Sequence, residues 1–174
     1  MRNIISVCFG VISLCFIAAA QGGPQRGPST VAEREHAVAI AHKLEEAPLD
    51  KSLRPDREWA LLWLIQVPDV HVTLCLAVLG DFMKSKYKYS PEVTAQLTLS
   101  TAAFVIEHPE KVSDVIEQYA AGVEGVLKAY KAILRDKPQA KSKALEDLLE
   151  KQSRGELAEF IRESSKGCTQ RTGE

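Results

Sequence analysis

The chain is poor in the residues and patterns that usually announce chemistry. It has four cysteines and four histidines in 174 residues. No two cysteines stand as C-x-x-C, which removes support for a thioredoxin-like redox site. It has no excess of positive charge. Beyond residue 20 there are 21 Lys and Arg against 23 Asp and Glu, so nothing equips it to grip a phosphate backbone and nucleic acid is not an expected partner. It lacks convincing period-two alternation over a strand length, which argues against a β fold. No motif of a known catalytic class stands out, so no catalytic or cofactor-binding residue is assigned.

What is present begins with an export signal. Arg2 precedes an uncharged run over residues 4–20 that closes on Ala18, Ala19 and Ala20, followed by Gln21. A positive start, an apolar stretch and small residues at the end are the three parts of a secretory signal peptide. Cleavage is expected between Ala20 and Gln21, leaving 154 residues. The alternative is an uncleaved anchor, but 17 residues sit at the short limit for a bilayer span. Leu14 before Cys15 is too large for a lipoprotein signal. The expected location is therefore periplasmic or extracellular. Cys8 and Cys15 leave with the signal, and Cys75 and Cys168 remain. An oxidising compartment favours pairing them. Cys75 lies in the most apolar stretch and Cys168 in a polar tail, which favours two unlinked cysteines, and that is the reading adopted from sequence.

The expected organisation is a signal peptide (1–20), a flexible Gly/Pro leader (21–29), one helical domain (30–163) and a polar tail (164–174). Thr30 and Glu33 have the spacing of a capping box at the start of a first helix that Pro48 stops. The least polar stretch runs from Glu58 to Phe82 and is divided by Pro68. It reads as two central helices, about 56–67 and 69–83, with Trp59, Leu62, Trp63 and Leu76 buried; a buried strand from His71 is the other reading of its second half. Asp69 is read as capping the second of these helices. Gln66, Pro68, Asp69 and His71 in mid-stretch speak against a membrane span. Ser90-Pro91-Glu92 opens a further helix, with Ser90 as N-cap. Val112, Val115, Ile116, Tyr119, Val123, Val126, Leu127, Tyr130, Ile133 and Leu134 then trace one face of a long helix over about 110–136. Gly122 and Gly125 within it permit close approach of a neighbour or mark a bend. A helix starting at Pro138 and a short last one, opened by a Ser153–Glu156 capping box, complete the count. About seven helices joined by short loops make an all-α fold, a compact bundle or stacked helical pairs.

Three groups are candidates for function. His71 and Cys75 are four apart, so on a helix they would face one way as potential metal ligands or as a nucleophile–base pair, but two ligands do not make a site. Trp59 and Trp63 stack on one helix face, either in the core or lining an apolar groove. Lys84, Lys86, Tyr87, Lys88 and Tyr89 form a basic, aromatic loop suited to an anionic partner or membrane headgroup. The functional expectation is an exported, non-enzymatic domain that works by protein–protein contact or as a scaffold. A carrier of a small apolar ligand near Trp59 and Trp63 is the runner-up, and an uncharacterised hydrolase or metal-binding protein the third reading. The mature domain is not expected to cross a membrane.

Overall fold

A computed structural model describes residues 26–169. The signal segment, most of the leader and the last residues of the tail lie outside them. Among the described residues the fold is all-helical, with six α-helices, three 3-10 segments and no strand. The α-helices are α1 (Val31–Glu46), α2 (Arg54–Gln66), α3 (Ser90–Glu107), α4 (Val115–Asp136), α5 (Lys143–Ser153) and α6 (Leu157–Thr169). With the longest 3-10 segment, Leu76–Lys84, they make seven helical elements. Among the described residues no helix is long and apolar enough to cross a membrane.

The core is built around α4 and α3. The apolar face read from sequence is the one α4 buries: Tyr119, Val123, Val126, Leu127, Tyr130 and Ile133 are all enclosed. They pack with Val93 and Leu97 of α3, with Val78, Leu79 and Phe82 of the 3-10 segment, and with Leu145, Leu148, Leu157 and Ile161 of α5 and α6. On the other side of α3, α1 and α2 enclose smaller clusters around Ile40, Leu44, Leu99 and Trp63. The Thr30–Glu33 capping box is formed in full.

The stretch after Pro68 departs from expectation. Residues 68–75 are irregular and only 76–84 coil, as 3-10 turns interrupted at Gly80. Apolarity all round carries no period, so it does not distinguish a helix from a packed irregular segment. Gly80 has φ 59°, a left-handed backbone that an L side chain resists, and a Cβ there would meet the Phe160 ring at 3.4 Å. Asp69 caps no helix. It accepts from the Ser29 N–H and hydroxyl, each at 2.8 Å, and pairs with Arg34 at 2.6 Å. The Ser29 N–H foremost, then its hydroxyl and Arg34, hold the Asp69 carboxyl down at about 2. The leader is thereby tied down at Ser29.

Other boundaries also shift. α4 begins at Val115, where the Asp114 carboxylate accepts the Glu117 N–H at 3.1 Å, and Val112 lies outside it, half exposed. Ser90 is the first residue of α3 and not its cap. α5 starts at Lys143, because residues 138–142 turn before it. Ser153 bonds back to the Glu150 carbonyl at 2.8 Å and so ends α5 instead of capping α6. The tail remains helical to Thr169. Leu62 and Leu76, expected inside, are 58% and 41% exposed. α2 packs chiefly against α1 and α3, and its outer residues Leu62 and Ile65 stay on the surface.

The two cysteines are bridged, contrary to the unlinked reading. Cys75 and Cys168 lie 5.8 Å apart between α-carbons, within the range a disulfide spans. The sequence argument failed because residues around Cys168 are not a loose tail. α6 packs against the Leu76–Lys84 segment and delivers Cys168 to the buried Cys75.

Gly122 and Gly125 mark a close approach. A Cβ on Gly125 would overlap the Ser100 hydroxyl and its Cβ, and would stand 2.8 Å from the Glu45 carboxylate. One on Gly122 would overlap the Thr101 hydroxyl and reach the Leu97 carbonyl at 3.1 Å. Overpacking of this kind costs about 1–3 kcal/mol, against a gain in helix propensity of about 1 kcal/mol. Gly125→Ala is therefore expected to lower stability by about 1–2 kcal/mol in urea unfolding. Gly167→Ala, in α6 with nothing within 4 Å of the added carbon, is the control and is expected to be neutral or mildly stabilising. Equal behaviour of the two variants would contradict the close approach.

Candidate functional site

The basic, aromatic loop forms one wall of a surface hollow. Phe82 is buried and anchors the end of the 3-10 segment. The Ser85 N–H and hydroxyl both donate to the Phe82 carbonyl, at 2.9 and 2.6 Å, which terminates the coil. Tyr87 then turns inward. Its ring lies 5.8 Å from Phe82, 5.7 Å from Tyr89 and 6.3 Å from Tyr130, all edge-on. Its hydroxyl donates to the Ala140 carbonyl at 3.0 Å, and burial pushes that hydroxyl up to about 12. This one bond joins two stretches 53 residues apart.

The second wall is the approach to α5. Pro138 cannot continue α4, and the chain turns through the Ala140 N–H to Lys137 carbonyl bond, 2.9 Å. The buried Tyr130 hydroxyl accepts the Ser142 N–H at 2.9 Å and donates to Glu146 at 2.7 Å. Burial first, then the Glu146 carboxylate, raises the pKa of that hydroxyl. The start of α5 is thus pinned to α4.

Between the walls is an open groove of about 750 Å³. Lys84, Lys86 and Lys88 line it from one side and Lys141 and Lys143 from the other, with Asp81 and Asp147 as its acids. Lys84 is paired with Asp81 at 2.7 Å. Lys88 lies over the Tyr89 ring, 5.5 Å from its centre. Lys86 and Lys141 have no carboxylate within salt-bridge distance among the described residues. Of these groups the sequence reading identified Lys84, Lys86, Tyr87, Lys88 and Tyr89 and missed Lys141, Ser142 and Lys143. The signal for the latter was a serine between two lysines just before a helix, and it was hidden by starting that helix at Pro138.

The remaining candidates do not join this site. Trp59 and Trp63 stack with ring centres 5.9 Å apart, and His36 leans on Trp59 at 4.6 Å. Trp63 is packed among Ala37, Val67, Val70 and Val105, and neither tryptophan lines the groove. His71 is exposed, Cys75 is consumed by the disulfide, and the segment joining them is not helical, so the two do not act as a pair. Among the described residues no three His, Cys, Asp or Glu side chains gather as a metal site. A second, smaller hollow of about 540 Å³ includes His42, Glu45 and Lys128. Glu45 is buried there and receives the Ser100 hydroxyl and the Lys128 ammonium, both at 3.0 Å. Burial acts to lower the His42 pKa, but hydrogen bonds to Glu107 and Glu45 outweigh it and leave it raised. Glu107 thus lies against His42, at 3.2 Å, and His108 is paired with Glu110 at 3.6 Å. Comparison with protein-family models, curated proteins and solved structures finds no match.

Proposed function

We propose that this protein is an exported, non-enzymatic binding domain whose groove holds an acidic segment of a partner protein. One observation carries the reading: five lysines face two aspartates around a single groove, drawn from two stretches of chain that the Tyr87–Ala140 bond brings together. Lysines on a rim steer and hold an anionic chain, and tyrosine rings offer it flat apolar surface. The Cys75–Cys168 bridge supports export, since such bonds persist in oxidising compartments.

The test is the binding of an octa-glutamate peptide followed by fluorescence anisotropy. Binding is expected at low ionic strength and should weaken as salt rises, because rim charges are screened over about a nanometre at physiological salt. The Lys86→Glu/Lys88→Glu variant changes two exposed positions and should lose most of the binding. No binding at low salt, or equal binding by the variant, would overturn the reading.

A further inference from the structure

The start of α5 presents an incomplete set of partners within the groove. Ser142 occupies the N-cap position, where a serine side chain ordinarily accepts a first-turn N–H, but it makes no such bond. Its hydroxyl is buried and has no hydrogen-bond partner among the described residues, in a residue only 5% exposed that nevertheless lines the groove. Buried polar atoms are rarely left unpaired, and an orphan of this kind points to a group that binds there. The only acid in the first turn, Glu146, is bonded to the Tyr130 hydroxyl at 2.7 Å and does not offset the positive end of the helix. Lys141 and Lys143 flank the position, and Ala144 continues the groove wall.

We infer that the N-terminus of α5, with the Ser142 hydroxyl and the flanking lysines, is a seat for the phosphoryl group of a phosphate monoester. An N-terminal helical turn directs free N–H groups and partial positive charge at an anion. A phosphate monoester brings up to two negative charges and three acceptor oxygens, enough to engage the hydroxyl, the N–H groups and a lysine together. The excess of lysine over aspartate favours this dianion over a single carboxylate, and the Tyr87 and Tyr89 rings provide a surface for the organic part of the ester. The inference rests on the groove being an anion-binding site and adds to it a particular position and chemistry.

Amide NMR spectra of the full disulfide-bonded domain decide the matter. On addition of inorganic phosphate or phenyl phosphate, the amides of Ser142, Lys143, Ala144 and Leu145 should shift saturably, and chloride at equal ionic strength should leave them in place. Ser142→Asp puts a carboxylate in the seat while supplying a good helix cap, and should weaken phosphate binding at least tenfold. Lys143→Glu, at an exposed position, is the second variant and should act the same way without disturbing the interior. Vesicles of phosphatidylcholine with phosphatidic acid separate the sources. Binding to them that Ser142→Asp abolishes identifies a lipid headgroup, and binding of phenyl phosphate alone identifies a soluble ester. Phosphate shifts that are absent, that spread evenly over all lysines, or that persist in both variants would overturn the seat. Octa-glutamate binding by the unsubstituted domain without any phosphate shift at the start of α5 would sink the seat and leave the groove reading standing. Loss of octa-glutamate binding with the phosphate response intact would do the reverse.

Discussion

Replacing Cys75 and Cys168 together by alanine is expected to lower the stability of the domain by about 4–5 kcal/mol, the value for closing a loop this long. The two residues are separated by 93 positions, and without the bridge the unfolded chain regains the freedom of that whole loop. The folded state loses something as well. Cys75 belongs to the main core cluster and Cys168 packs against it, so the pair is also part of the contact between α6 and the 3-10 segment. Urea unfolding of the oxidised protein and the double-alanine variant checks the figure, and thiol labelling of the oxidised protein under denaturing, non-reducing conditions should find no reactive sulfur. A loss below about 1 kcal/mol, or two free thiols, would contradict the bridge.

Trp63→Ala is expected to cost about 3–5 kcal/mol, the range for truncating a fully packed tryptophan. The side chain is 3% exposed and sits where α1, α2 and α3 meet the chain after Pro68, so the cavity would have walls on several elements and little means of collapse. Its indole N–H has no partner among the described residues. Trp63→Phe removes that unpaired donor and keeps most of the ring, and should cost much less than the alanine change. Chemical denaturation of the two variants compares them directly. An alanine variant within about 1 kcal/mol of wild type would place Trp63 on a binding surface, as the carrier reading required.

How far the sequence could be read depended on periodicity. The buried face of α4 was legible from Tyr119 to Ile133 because its apolar positions recur at three and four, and α1 because Thr30 and Glu33 mark its start. The stretch from Pro68 to Phe82 was not, since a run apolar on every side fits helix, strand or packed loop alike. The same cause put Leu62 and Leu76 in the core. They belong to the least polar stretch, but burial depends on which neighbours an element has, and neither side chain meets one that covers it. The groove was half legible. Lys84 to Tyr89 stood out as a cluster, whereas Lys141 to Lys143 joins it only through Tyr87, a contact between residues too distant in sequence for any local pattern to record.

The bridge also divides the molecule topologically. A closed covalent ring runs from Cys75 through α3, α4 and α5 to Cys168 near the end of α6, and both walls of the groove lie on it. α1 and α2 lie outside it, attached by packing and by the polar links of Ser100 to Glu45, Gln96 to the Ala41 carbonyl and Arg135 to the Glu46 carbonyl. Both walls of the groove therefore stay covalently joined to one another even where the contacts of α1 and α2 with the ring are broken.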